Sequence, residues 1–240
     1  MIDLRSDWRG GLIPLLAGML LAGGAGAATH AIVERDEGVT RLVLPEVPRH
    51  VDGAELRALV RRHDAGGLAT VDLAALRADI EAIDWVASAG VRRSWPDGLV
   101  VRIREHRPVA RMGGGRYLTA AGRVVTLEAV ASAEALPLLG VDEAHAANAF
   151  DALTALRDGL SATALAPAEI RRDARGSWTL VDTAGVSFRL GKGDPVTQLP
   201  RLRDAVAPAL GGRLERVAYV DLRYGNGFAV GWDDTGPEME

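Results

Sequence analysis

The chain of 240 residues carries 28 basic and 32 acidic side chains, a formal net charge of −4, which provides no general field for gathering nucleic acid. Hydrophobic residues make up 48% of the chain but aromatics only 5%, which favours small β-rich or α/β modules cored by Leu, Val, Ile and Ala over one wide aromatic core. Cysteine is absent, and with it disulfides, thiol catalysis and zinc–thiolate sites.

The stretch from Gly10 to Val33 holds no Asp, Glu, Lys or Arg. Wound as a helix, it is long enough to cross a hydrocarbon core of about 30 Å. Trp8 stands where an interfacial aromatic belongs; Arg5 and Arg9 precede the stretch, and Glu34-Arg35-Asp36-Glu37 follows it. The basic flank favours a cytoplasmic N-terminus. The layout expected from this is a cytoplasmic stub at 1–9 and a transmembrane helix at 10–33. A cleavable signal peptide ending near Ala25-Gly26-Ala27 fits the segment equally well. Either way, everything after residue 34 lies outside the cytoplasm.

A first exported module is expected over 38–107. Val39 to Leu44 reads as a short strand, stopped by Pro45 and Pro48. Asp52 offers an N-cap for a helix with Leu56, Leu59, Val60 and His63 on one face. After Gly66-Gly67, Thr70 or Asp72 opens a second helix with Leu73, Leu76, Ile80 and Ile83 aligned. Val86 to Trp95 and Leu99 to Arg104 then read as two strands joined at Trp95-Pro96-Asp97-Gly98. The order β-α-α-β-β in so short a stretch resembles a POTRA domain, a small module used for protein contacts.

A second module is expected over 108–235, followed by a tail at 236–240. Strands are predicted at Val109–Met112, Tyr117–Thr119 and Arg123–Leu127, with a short apolar stretch at Leu136–Gly140. A helix with Phe150, Leu153, Leu156 and Leu160 on one face precedes strands at Glu169–Arg172, Ser177–Val181 and Val186–Leu190. A last helix, Val196 to Leu210, leads to Val217–Leu222, a Tyr224-Gly225-Asn226-Gly227 turn and Phe228–Trp232, where Asn-Gly signals a hairpin. The fold class is therefore α+β: one N-terminal transmembrane helix, a β-α-α-β-β module and a C-terminal β-rich domain with two packed helices.

Chemistry is hard to place on these residues. His30, His50, His63, His106 and His145 never fall at helical metal-ligand spacing, so no metal site is expected. No Gly-x-Ser-x-Gly elbow appears, and Gly185 with Gly191-Lys192-Gly193 has neither the spacing nor the Ser/Thr of a phosphate loop. Lys192 is the lone lysine, and the arginines are dispersed along the chain instead of forming one stripe. Asp221 and Arg223 alternate and read as an ion pair bracing the hairpin. Trp95 and Trp178, borne on strands, read as sheet packing. The expectation is a protein that is not an enzyme, with no cofactor, no nucleic acid and no small-molecule substrate. Binding falls instead to the last strand, where Phe228, Val230 and Trp232 share one face and the outer edge can accept a partner strand.

Several blocks carry a family resemblance. Asp84 to Leu99, with Trp85-Val86, Val91-Arg92-Arg93 and Trp95-Pro96-Asp97, resembles a stretch of the FtsQ/DivIB family of bacterial cell-division proteins, as does Arg104-Glu105-His106-Arg107-Pro108-Val109-Ala110-Arg111. Tyr219 to Trp232 is nearly that family's C-terminal consensus. Arg175-Gly176-Ser177-Trp178 and Leu190-Gly191-Lys192-Gly193 match two further blocks in order. Asp84 stands where the family has proline, and Val141-Asp142 stands where it has Pro-Glu. The resemblance implies an uncleaved inner-membrane anchor, a periplasmic bulk concentrated at the division septum, and a scaffold that controls septal peptidoglycan synthesis. It further implies binding of FtsB, and through it FtsL, at the C-terminal edge, nominating Arg175, Ser177, Trp178, Tyr224, Gly225, Phe228, Val230, Gly231 and Trp232. Val91 and Arg93 on the first module are nominated as a recruitment surface for other division proteins. A POTRA-bearing transport or secretion component is the rival, but it calls for repeated POTRA units and a barrel, and this sequence shows one unit and no barrel.

Overall fold

The structure, a computed structural model, describes residues 41–64, 66–96 and 98–233. The expected stub, transmembrane helix and tail lie outside the described residues. Among those described, no helix is long and apolar enough to cross a membrane. The chain divides into two compact units, one ending at Arg104 and the next beginning at Glu105. Each mixes helices with strands, so the class is α+β.

The first unit runs β1 (Arg41–Val43), α1 (Gly53–His63), α2 (Leu73–Glu81), β2 (Val86–Ser94) and β3 (Gly98–Glu105). Its sheet has the order β1-β3-β2, with β1 parallel to β3. Asp52 caps α1 by accepting from Ala54 N at 2.8 Å, and Asp72 caps α2 by accepting from Ala74 N at 2.9 Å and Ala75 N at 3.1 Å. These two N–H bonds hold the Asp72 carboxyl below the usual carboxylate range. Leu56, Leu59 and Val60 of α1 and Leu76 and Ile80 of α2 are buried, as are Leu99 and Val101 of β3. His63, at the end of the apolar face of α1, reaches across to Asp79 of α2 at 2.9 Å.

One expectation for this unit needs correction. Trp95 is 71% exposed and is not sheet packing: β2 ends at Ser94, so strand alternation no longer directs it. Val91 and Arg93, nominated as a recruitment surface, are both half-buried. Val91 lies within β2, on the side of buried Ala89. Arg93 shares that side; its Nε donates to Leu68 O at 2.9 Å and its Nη2 to Val71 O at 2.6 Å. The guanidinium thus satisfies carbonyls of the α1–α2 connection, which have no ladder partners of their own.

The second unit is a nine-stranded sheet in the order β12-β11-β10-β9-β8-β7-β4-β5-β6. Its strands are β4 (Pro108–Arg111), β5 (Arg116–Thr119), β6 (Val124–Thr126), β7 (Leu138–Gly140), β8 (Pro167–Arg172), β9 (Ser177–Asp182), β10 (Ser187–Lys192), β11 (Val217–Asp221) and β12 (Ala229–Trp232). The apolar stretch near Leu138 became β7, inserted parallel to both β4 and β8. At the departure from the family pattern, Asp142 accepts from His145 N at 3.1 Å and so starts the turn leading into α3 (Ala146–Leu160).

One core joins α3 to the sheet through Leu153, Leu156, Leu160, Ile170, Leu180 and Phe188, all essentially buried. The second helix is not the continuous one expected from Val196 to Leu210. It passes through a 3-10 turn (Pro195–Gln198), α4 (Leu199–Arg201), a π-helical stretch (Leu202–Val206) and α5 (Ala207–Leu210). Pro200 and Pro208 lack the N–H that a regular α-ladder needs, and the wider π turn absorbs the mismatch while Leu202, Val206 and Leu210 stay buried. Parallel pairing of β10 with β11 follows from this helical crossover.

Replacing Arg93 with Met keeps the aliphatic stem but strands the Leu68 and Val71 carbonyls. Chemical denaturation should show the first unit losing about 2 kcal/mol of stability. An unchanged midpoint would mean that water replaces the guanidinium without loss.

Candidate functional site

β12 stands at one end of the sheet order, and among the described residues it pairs with β11 alone. The antiparallel register sets Val220 opposite Val230 and Tyr219 opposite Gly231, and Asp233 N extends the pairing to Arg216 O at 2.8 Å. Phe228 and Val230 pack against the helix-side core. Trp232, on that side by alternation, is 45% exposed with the Arg213 guanidinium 5.6 Å from its ring.

On the other side, Tyr219 lies across Gly231. A Cβ built on Gly231 would come within 2.2 Å of Tyr219 Cε1, so the ring occupies the space any side chain there would need. The Arg189 guanidinium sits 4.0 Å from the centre of the same ring. Glycine, tyrosine and arginine thus line up across β12, β11 and β10.

The connection 222–228 is longer than a tight Asn-Gly hairpin, and its carbonyls converge on Arg201. The Arg201 Nη1 donates to Leu222 O at 2.8 Å, and its Nη2 donates to Tyr224 O at 2.8 Å and to Gly227 O at 2.5 Å. Gln198 Oε1, at 3.1 Å from Nη1, helps aim the guanidinium. The expected ion pair forms at the start of this loop: Asp221, 3% exposed, accepts from Arg223 Nε at 2.9 Å and from Arg223 N at 3.0 Å. These bonds to Arg223 hold the Asp221 carboxyl below its ordinary range, with a further contribution from Arg189.

Beside the loop lies a cleft of about 590 Å³ lined by Arg175, Ser177, Lys192, Arg201, Tyr224 and Gly225, among others. Asp173 shapes its floor by accepting from Arg175 N at 2.9 Å and Ser177 N at 2.8 Å, and these bonds lower its pKa. Gly191, in the left-handed region at φ 87°, sits where the β9–β10 register shifts. Of the nominated residues, Arg175, Ser177, Tyr224 and Gly225 therefore meet around one cleft, while Phe228, Val230, Gly231 and Trp232 run along the neighbouring edge strand.

Trp178 is set apart from them. It is 7% exposed within the core and borders a different cleft, formed with Asn148, Asp151 and Val196. Alternation along β9 turns Ser177 and Trp178 to opposite faces, so the tryptophan supports the sheet from the helix side. Arg201 and Tyr219 were not among the residues nominated from the sequence. The long aromatic opposite a strand glycine was a usable hint for Tyr219; nothing local marked Arg201.

Comparison with known proteins gives two family matches. The model described as POTRA domain, FtsQ-type, matches residues 46–106, and the model for the C-terminal part of cell division protein FtsQ/DivIB matches 109–223. The second match stops before β12. Proteins named cell division protein FtsQ are similar over most of the chain. That of Xanthomonas campestris pv. campestris is 35% identical over 182 residues, 76% of this chain and 65%, just under two thirds, of that protein. That of Allochromatium vinosum is 34% identical over 193 residues, covering 78% of this chain and 76% of its own length. That of Escherichia coli K12 is 28% identical over 207 residues, covering 83% and 75%.

Two outcomes follow from this geometry. Gly231→Val should displace the Tyr219 ring and cost about 2 kcal/mol in denaturant unfolding, and Tyr219→Ala in the same chain should recover much of that loss; independent, additive losses would disprove the contact. For Asp221 the folded-state pKa is depressed, so its contribution is present above about pH 4, the unfolded value, and is lost as pH falls through the folded one. Asp221→Asn should therefore be destabilised by about 1–2 kcal/mol at neutral pH, given the half-exposed Arg223 partner, and the gap to the parent should close in acid.

Proposed function

This chain belongs to the FtsQ/DivIB family of bacterial cell-division proteins, and from that premise we propose that it is a non-catalytic scaffold of the divisome. In this reading, residues 1–9 are cytoplasmic and 10–33 span the inner membrane. Modules 38–107 and 108–235 stand in the periplasm at the septum, ending in a tail at 236–240. The scaffold holds FtsB, and through it FtsL, by adding a partner strand to β12, and so helps control septal peptidoglycan synthesis. The observation that supports this is the position of β12 at the end of the sheet, beside a cleft built from Arg175, Ser177, Tyr224 and Gly225.

An added strand would draw affinity from the main chain of β12, at about 0.5–1.5 kcal/mol net per hydrogen bond, with side-chain pockets setting its register. Tyr224 at 60% exposure and Trp232 at 45% are the large apolar surfaces such a strand can cover. Aromatic and arginine anchors of this kind dominate interface energetics. The Arg201 clamp holds Tyr224 in place beforehand, which lowers the entropy cost of binding. Val91 and Arg93 take part in recruitment only indirectly in this scheme: Arg93 stabilises the unit, and the backbone of β2, at the end of its own sheet, is what a partner would meet.

The test is binding of the full chain in nanodiscs to the periplasmic segment of FtsB from the same organism. Tyr224→Ala and Trp232→Ala should each weaken binding by about 2 kcal/mol, roughly thirtyfold, with circular dichroism unchanged. A folded parent chain that does not bind would overturn the edge-strand reading.

A further inference from the structure

The sheet of the first unit gathers charge that the linear sequence scatters. Arg41 pairs in register with Gly98. A Cβ built on Gly98 would lie 3.4 Å from Ser94 Cβ, and one built on Gly90 would lie 4.0 Å from Arg102 Cβ. These contacts put Arg41, Ser94, Gly90 and Arg102 on one face, and strand alternation adds Arg92 and Arg104. The opposite face carries Leu99, Val101, Ala89 and Arg93 and is closed by the helices.

Arg41, Arg92, Arg102 and Arg104 are all exposed. Among the described residues none of them forms an ion pair or a side-chain hydrogen bond. Glu105 is the one acid in β1, β2 and β3, and alternation turns it to the other face. In a chain of net charge −4 this is a local reversal of sign. Trp95, 71% exposed, stands at the rim of the face just beyond the end of β2. Residues 34–40 are all that separate β1 from the uncharged stretch ending at Val33, and at most they reach about 25 Å.

We propose that this arginine face docks on the anionic phospholipid headgroups of the membrane in which the chain is anchored, with Trp95 in the interfacial layer. The inference rests on the anchor in the reading above. Guanidinium groups pair with phosphate oxygens through parallel N–H bonds, and tryptophan partitions to the headgroup boundary. The short connector keeps the face within reach of that surface; Val100, on the same face, is buried, so the exposed part of the face is the four arginines with Gly90. Each arginine within the headgroup field strengthens docking by about fivefold.

The absence of cysteine allows a clean test by site-directed spin labelling of the full chain in nanodiscs. Gly90→Cys places a nitroxide in the middle of the arginine face, and Ala17→Cys places one in the anchor. With phosphatidylglycerol present, the Gly90 label should be shielded from a water-soluble nickel relaxant. Shielding should disappear in purely zwitterionic nanodiscs, in high salt and in the Arg102→Gln/Arg104→Gln chain, where docking falls about twentyfold or more. A Gly90 label equally open to water in both lipids, with the Ala17 label buried in lipid, would overturn this inference alone and leave the face to an acidic protein. A water-exposed Ala17 label would remove the anchor and the inference with it.

Discussion

The C-terminal edge of this protein depends on one guanidinium. Arg201 emerges from the interrupted helix and draws Leu222 O, Tyr224 O and Gly227 O together. Those carbonyls lie in a connection with no ladder of its own, and unpaired backbone acceptors near a core are costly. A charged fork with several donors solves this in one step. It also fixes where Tyr224 stands and where β12 begins. The prolines that break the helix are part of the same arrangement, because the π-helical stretch after Arg201 keeps Leu202 and Val206 in the core. Loop position, edge strand and cleft are thus set from behind the sheet.

A second constraint acts on the opposite face. Gly231 has no side chain because Tyr219 needs the space, and the Tyr219 ring in turn carries Arg189. A flat ring over a strand glycine restores the contact surface that the glycine lacks. The edge strand is held from both sides, by Phe228 and Val230 toward the helices and by the Tyr219 ring away from them. An edge so braced can offer its backbone to a partner without first having to order itself, which is the condition for binding by strand addition at low entropic cost.

The first unit uses the two faces of β2 for different ends. Arg93 turns inward and binds the α1–α2 connection, while Arg92 turns outward with Arg41, Arg102 and Arg104. Adjacent arginines of identical chemistry become a structural clamp and part of a charged surface, because successive strand side chains point to opposite sides.

Local physics was legible in the sequence. The cap at Asp52, a second helix start at Thr70 or Asp72, the apolar faces of α1, α2 and α3, the β-α-α-β-β order, the Asp221–Arg223 pair and the final antiparallel pairing were all readable, since each depends on neighbours within a few residues or on simple alternation. The blocks around Trp95 and from Tyr219 to Trp232 also identified the family. What the tertiary structure alone decided were contacts across long separations: Arg201 on the 222–227 carbonyls, Arg93 on Leu68 and Val71, Tyr219 over Gly231, and four scattered arginines on one face. The same holds for the tryptophans, with Trp178 buried and Trp95 exposed although both looked alike on their strands. Periodicity says that a side chain leaves a strand on one side or the other. Which side is covered, and by what, is settled only when the helices pack and unpaired carbonyls find their donors.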